Sequence, residues 1–275
     1  MIISVASGKG GTGKTTIAVN LAISLKDVNF IDCDVEEPNA HILLHPKIDE
    51  RIEVFRKIPK VDLERCNFCG KCAEFCEFNA LAVLKDNVIV FPELCHACGG
   101  CGIACPEDAI DEEMIPTGIL ERGRCEDGIR FASGSLNVGE PMAPPLINVV
   151  KEEIKDGCIN IIDAPPGTAC PMVASVHESD YCILVTEPNP FGLHDLRMAV
   201  DALRILKMNF GVVINKSGDD KIIEDFCSDE EIPILMRVPY DRHIAELYSR
   251  GIAFSTEIGR YKREFLHLFE KIRGE

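Results

Sequence analysis

Two groups of residues in this 275-residue chain have the types and spacing to do chemistry. The first is Gly8-Lys9-Gly10-Gly11-Thr12-Gly13-Lys14-Thr15, which satisfies G-x-x-x-x-G-K-S/T between a short apolar run and a helical pattern. Glycines let successive backbone N–H groups turn inward onto phosphate oxygens, the helix start adds partial positive charge, and Lys14 adds a full one. Thr15, followed by Thr16, offers a hydroxyl to Mg²⁺. The second group is cysteine: Cys66-x2-Cys69-x2-Cys72-x3-Cys76 recurs as Cys95-x2-Cys98-x2-Cys101-x3-Cys105, followed by Pro106. This is the spacing that wraps a [4Fe-4S] cluster, and where two copies occur the fourth cysteine of each serves the other cluster. Cys66, Cys69, Cys72 and Cys105 are therefore assigned to one cluster, and Cys95, Cys98, Cys101 and Cys76 to the second. Zinc is the rival; it needs four ligands per ion and has no use for the x2, x2, x3 run.

Two acids extend the phosphate site. Asp163 closes an apolar run and Asp34 follows another, so both fall at carboxyl ends of expected strands, where open α/β sheets bind ligands. Asp163 is the expected partner of Mg²⁺, and Asp34 a candidate to orient the attacking water. The alternative for Asp34 is an acid that caps a turn. Around the cysteines, residues 60–111 hold four basic side chains against nine acidic ones, which favours oxidised clusters and hence low potentials. Glu77 replaces the proline after the first run, a change of loop shape rather than ligation.

The elements that must carry these groups are legible as apolar runs. Residues 2–6, 28–31, 158–162, 181–185, 210–214 and 234–238 are continuous and rich in β-branched side chains, as buried parallel strands are. Helical spacing lies between them at 15–25, 193–206, 222–226 and 244–248. Alternation of strand and helix predicts an α/β fold with a doubly wound, mostly parallel sheet. Residues 59–111 break that pattern and hold eight cysteines, with a hairpin turning at Asp86-Asn87. They read as a module inserted into a domain formed by 1–58 and 112–275. Residues 115–145, rich in glycine and proline, read as mixed strand and loop.

Together, Lys9 early in the loop, Asp32-Cys33-Asp34 and Asp163-Ala164-Pro165-Pro166-Gly167 resemble the MinD/ParA/Mrp class of deviant P-loop ATPases. With the cysteine runs added, the chain is similar from end to end to MinD-like ATPases carrying an inserted ferredoxin domain. The resemblance implies binding and hydrolysis of ATP with Mg²⁺, through Gly8, Gly10, Gly11, Thr12, Gly13, Lys14, Thr15 and Thr16. It also implies a homodimer in which Lys9 reaches the nucleotide of the second subunit, stabilising charge as an arginine finger does. Asn215 matches the adenine-contacting asparagine of the class, with Pro239 near the base. Asn215-Lys216-Ser217-Gly218 lacks the aspartate that reads guanine, which favours ATP over GTP. Gly139-Glu140-Pro141, Thr186-Glu187-Pro188 and Gly192-Leu193-His194-Asp195 match further stretches of the class, without a chemical role that the sequence reveals.

Of the remaining cysteines, Cys158 and Cys182 lie in strand-like runs and read as core. Cys170 lies seven residues beyond Asp163, a spacing similar to that of the bridging-cluster cysteine in the nitrogenase iron protein. Across a two-fold axis Cys170, with Cys125, could hold a shared third cluster; the alternative is an unliganded thiol. No role is assigned to Cys33 or Cys227, and His96 is either a proton-coupled group or simply exposed.

Composition bounds the rest. With 29 basic and 45 acidic side chains, the formal charge of −16 repels a phosphate backbone, so no nucleic-acid partner is expected. The first residues show no secretion signal and no run is long enough to span a membrane, which predicts a cytoplasmic protein. Residues 261–272 carry Phe265, Leu268, Phe269 and Ile272 on one side with charges of both signs opposite, favouring a helix packed on the sheet over a membrane anchor. Three functions follow: ATP-controlled electron transfer through the clusters to an unknown redox partner; ATP-dependent delivery of a cluster or metallocofactor to an apo-protein; and a positioning switch, which would need a basic face or tail that is not evident.

Overall fold

The computed structural model describes residues 1–274. In chain order the elements are β1 (Ile2–Ala6), α1 (Lys14–Leu25), β2 (Asn29–Asp32), α2 (His41–Leu44), β3 (Lys47–Val61), α3 (Lys71–Phe75), β4 (Leu81–Val83), β5 (Val88–Val90), α4 (Gly100–Ala104), β6 (Ile110–Arg124) and β7 (Arg130–Leu136). They continue with α5 (Ala143–Lys151), β8 (Asn160–Asp163), α6 (Cys170–Val176), β9 (Tyr181–Thr186), α7 (Pro190–Ile205), β10 (Phe210–Ser217), α8 (Lys221–Asp229), β11 (Ile234–Pro239), α9 (Arg242–Ser249), α10 (Phe254–Glu257) and α11 (Gly259–Gly274).

The apolar runs form one sheet in the order β11-β10-β9-β1-β8-β2-β7-β6-β3, parallel from β11 to β7 and antiparallel from β7 to β3. Its central strands are buried on both faces, which is why they read as unbroken apolar stretches rather than alternating ones. Alternate residues feed two layers. Ile3, Val5, Ile161 and Ile183 pack with α1, α10 and α11, whereas Ala6, Ile162, Cys182 and Leu184 pack with α5 to α8. The last helix covers the first layer: Tyr261, Phe265 and Leu268 are buried there, so residues 261–272 form a packed helix as expected. Among the described residues no helix is long and apolar enough to cross a membrane.

Residues 115–145 are mixed strand and loop, as expected: the end of β6 and all of β7 with irregular turns after each, then the start of α5. One feature differs from the sequence expectation. Cys158 is not core: it lies in the turn before β8, half-exposed, with its thiol donating to the Lys155 carbonyl at 3.2 Å. The chain turns there because Asn160 ties Lys155 and Cys158 together, its amide donating to both carbonyls.

β3 and β6 pair over their whole length, from Lys47 opposite Arg124 to Val61 opposite Ile110, while β7 covers β6 only from Gly118 onward. Beyond Gly118 the pair leaves the sheet as a two-stranded ribbon of about seven residues a strand, or ~23 Å at 3.3 Å per residue. The ribbon carries residues 62–109, which fold into α3, the β4–β5 hairpin and α4. The hairpin closes where expected, with Leu84 N–H donating to the Asn87 carbonyl at 2.7 Å.

Candidate functional site

The loop between β1 and α1 is held open by its glycines. Gly13 adopts φ +87° at the start of α1, and a Cβ there would run into the Asn215 amide, which donates to the Thr12 carbonyl at 2.7 Å. No side chain caps this 12-residue helix, so its first N–H groups face the loop. Ser7 Oγ donates to the Lys9 carbonyl at 2.8 Å and turns the loop's entry. Gly8 serves a different contact, for a Cβ there would collide with the backbone of Asp195 in α7.

Register brings the acids to Lys14. Asp32 and Asp163 stand opposite each other at the ends of β2 and β8. Lys14 Nζ donates to Asp163 Oδ1 at 2.7 Å and lies 3.5 Å from Asp34 Oδ2. Burial works against the lysine's charge, but Asp163, Asp34 and Asp32 outweigh it and hold the ammonium above its usual pKa. Burial first, then the neighbouring Asp163, pushes Asp32 well above the carboxylate range. Burial also raises Asp34 to about 6, against the pull of Lys14. Two acids, Asp163 and Asp34, thus contact one ammonium with Asp32 close behind, and the buried Asp163 Oδ2 has no hydrogen-bond partner among the described residues. An orphaned acceptor in an acid-rich, oxygen-lined site fits a hard divalent cation such as Mg²⁺, which Thr15 and Asp163 would hold.

These groups line a cavity of about 370 Å³ that includes Lys9, Gly10, Gly11, Thr12, Gly13, Lys14, Thr15, Thr16, Asp34, Asn215 and Pro239. Gly8 and Asp163 lie behind its wall. At its far end, which no sequence motif marks, Tyr240, Ile244, Tyr248 and Phe254 offer apolar and aromatic surface beside Asn215 and Pro239. Nor does the loop after Asn215 acquire a base-reading acid from elsewhere. The Asp220 carboxylate accepts from Ser217 Oγ at 2.6 Å and Gly218 N at 2.9 Å, and Arg237 lies 3.3 Å away.

The stretch 186–195 also finds a role. Thr186 Oγ1 donates to the Gly192 carbonyl at 3.0 Å, and Asn189 caps α7 by accepting from Gly192 N at 2.8 Å. Lys216 donates to Glu187 at 2.5 Å and to the Gly11 carbonyl at 3.3 Å. The start of α7 is thereby fastened to the phosphate loop from two sides, and His194 stays exposed.

In residues 62–109 the cysteine repeat extends into the backbone. Phe68 and Ala97 take φ near +57°, at 57° and 56°, and Gly70 and Gly99 follow at 79° and 71°. The same N–H to sulfur bonds recur: Phe68 to Cys66 and Ala97 to Cys95 at 3.4 Å, Ala80 to Cys76 and Ala109 to Cys105 at 3.3 Å. Cys66, Cys69, Cys72 and Cys105 line one narrow cavity, and Cys76, Cys95, Cys98 and Cys101 line another of about 580 Å³. The fourth cysteine of each run thus faces the other run's three. Among the described residues no group of His, Cys, Asp or Glu is placed to hold a metal ion. Four thiols ringing a space, each set with two N–H groups aimed at sulfur, fit the demands of a polynuclear iron-sulfur group. His96, between the second run's first two cysteines, is half-buried and stacked on Phe78 at 3.5 Å between ring centroids.

Cys125 and Cys170 are placed apart. Cys125 is half-buried against the layer of α1 and α11, and burial pushes its thiol up to about 12. Cys170 begins α6 on the other face, exposed, and lines a cavity with His96, Lys151 and His177. Cys33, Cys182 and Cys227 are buried, and burial raises each thiol: Cys182 to about 12, Cys227 to about 11, Cys33 further still. Such thiols are protonated and unreactive.

A family model described as the CobQ/CobB/MinD/ParA nucleotide binding domain matches residues 3–254. An uncharacterized protein of Methanocaldococcus jannaschii is 31% identical over 261 residues, covering 92% of this chain and 91% of its own. An iron-sulfur cluster carrier protein of Pyrococcus horikoshii is 24% identical over 294 residues, covering 98% of this chain and 84% of its own. Among solved structures, the septum site-determining protein MinD of Pyrococcus horikoshii complexed with Mg-ADP has a TM-score of 0.60 at 18% identity. It covers 98% of this chain and 95% of its own, a likeness of fold. The chain belongs to the CobQ/CobB/MinD/ParA nucleotide-binding domain family.

Proposed function

We propose that the chain is an ATP-hydrolysing iron-sulfur protein in which nucleotide-dependent rearrangement of a homodimer controls two [4Fe-4S] clusters and their electron transfer to a partner. One observation carries this: a single chain joins the Lys14–Asp163 site, through the β3–β6 ribbon, to two rings of four cysteines with matched N–H bonds to sulfur. When bound, such clusters supply one-electron chemistry, at low potential in this acidic setting.

The chain's own residues account for the hydrolytic half. Loop N–H groups and Lys14 hold the phosphates, and Thr15 and Asp163 hold the Mg²⁺ of Mg-ATP. Asp34, at the cavity wall beside Lys14, orients the attacking water. Lys9, half-exposed on the same loop, is free to reach a second subunit's nucleotide. Asn215, Pro239, Tyr240 and Tyr248 surround the base.

A second reading, delivery of a cluster to an apo-protein, is favoured by the relative named as an iron-sulfur cluster carrier. Cys170, alone of the cysteines outside the two runs in being exposed, is then the candidate labile ligand, shared across the dimer. The test is anaerobic reconstitution followed by ATP turnover beside an apo-acceptor. Control of electron transfer requires about eight irons per chain, Mg-ATP hydrolysis and retention of all the iron. Iron moving to the acceptor only with ATP selects delivery, and a protein that takes up no iron rejects both.

A further inference from the structure

Resting on the assignment of Cys76, Cys95, Cys98 and Cys101 to one cluster, we propose that Arg56 and Glu140 are positioning residues that tie this centre, and not the other, to the nucleotide site. Arg56 lies in β3 and ligates nothing, yet it is 4% exposed. Its guanidinium donates to the Cys95 carbonyl at 3.1 Å and the Pro92 carbonyl at 3.0 Å, gripping the segment that enters the second cysteine run. The same group pairs with Glu140, Nη2 to Oε2 at 3.3 Å and Nε to Oε1 at 3.1 Å, with the two side chains 2% and 8% exposed.

Glu140 belongs to the nucleotide-binding body. Its Oε1 accepts from Met142 N at 2.9 Å, just before α5. α5 is in turn bound to α6, since Lys151 donates to the Ala174 and His177 carbonyls at 2.8 and 2.6 Å. α6 follows the segment that leaves Asp163 and touches the entry of the phosphate loop, where Gly167 N donates to the Ser7 carbonyl at 2.9 Å. Packed helices and buried ionic groups of this kind shift between discrete arrangements rather than deform. A change at Asp163 is therefore transmitted through α6, α5 and Glu140 to Arg56, and from Arg56 to the backbone of Cys95. The arginine that precedes the first run, Arg65, bonds among the described residues only to Asp62 and Asp111, both at the ribbon's end and neither on the body.

The experiment follows iron release from the anaerobically reconstituted full chain to a ferrous chelator, with and without Mg-ATP. Two phases of about four irons are expected. The Cys98→Ser variant, which lacks one of them, identifies the phase that belongs to the Cys95 set. In the wild type, Mg-ATP is expected to change that phase at least about fivefold and the other less than twofold. Arg56→Gln and Glu140→Gln are expected to keep their iron and their ATP affinity while the response falls below twofold. The proposal is overturned by variants that keep the full response, by a response in the Cys66 phase, or by an iron-loaded, ATP-bound wild type that does not respond. It is also overturned if both variants lose four irons outright, since the pair then only builds the site. A wild type that binds no iron instead rejects the assignment of the cysteines.

Discussion

Lys14 and Asp163 form a buried ion pair of 2.7 Å, and a triphosphate arriving in the loop competes with Asp163 for the same ammonium. Release of Asp163 would free Oδ1 beside the already unpartnered Oδ2 for the shell of a bound Mg²⁺ and would unpin the segment that leads into α6. The pair is therefore both a binding group and a reporter of occupancy.

Replacing Lys14 by Ala removes the ammonium that pairs with Asp163 and Asp34. ATP affinity is expected to fall at least about 100-fold, as follows when a hydrogen-bonded charge worth about 3 kcal/mol is lost. Cluster absorption stays intact because no cysteine is touched. Equilibrium nucleotide binding and the visible spectrum of the same sample check both halves.

Asp34 titrates against stability. Its pKa is raised from an ordinary 3.8 to about 6 by burial, so the folded state holds the proton more tightly than the unfolded chain. Its favourable contribution is therefore complete below about pH 4 and is lost as pH rises through 6. Asp34→Asn is expected to stabilise the nucleotide-free protein at pH 7.5 by about 1–3 kcal/mol and to leave it unchanged at pH 4, while ATP turnover falls sharply. Urea denaturation at the two pH values reads the first effect; equal shifts at both would refute it.

The crossed cysteine sets make a sharp forecast. Cys76→Ser should deplete the same centre as Cys98→Ser, and Cys105→Ser the same centre as Cys66→Ser, because those thiols share a cavity. Each variant retains about four of eight irons. Matching spectra for Cys76 and Cys66 variants would show that each run ligates its own cluster.

Phe265, on the inner side of α11, is fully buried. Phe265→Ala is expected to cost about 3–5 kcal/mol of stability by opening a cavity. Flotation with anionic vesicles should recover neither wild type nor variant, since the helix's apolar side is already covered.

What was legible in the sequence was chemistry written as local spacing. The loop, its flanking strand and helix, and both cysteine runs depend on neighbours within ten residues, and the fold brings the loop and its acids together around Lys14. β3 was not legible because it is an edge strand whose first half, with Asp49, Glu50, Arg51 and Glu53, faces solvent, and because farther on Arg56 is buried while Phe55 is exposed, so burial does not follow the apolar pattern. Asp32 was passed over in favour of Asp34, since only the register with β8 buries it against Asp163. Arg56 and Glu140 are 84 residues apart, and although Gly139-Glu140-Pro141 stands out in the sequence, nothing local pairs it with Arg56. The aromatic end of the nucleotide cavity comes from the turn after β11, α9 and α10, whose contribution depends on long-range packing.

The most direct measurement is an anaerobic redox titration of the iron-loaded chain, nucleotide-free and with Mg-ATP. Coupling of about 1–3 kcal/mol between the sites would move the midpoint of one cluster by about 40–130 mV and leave the other in place. Two midpoints that stay put in a protein shown to hold about eight irons and bound ATP would contradict the claim that the nucleotide site and the cysteine centres answer to each other.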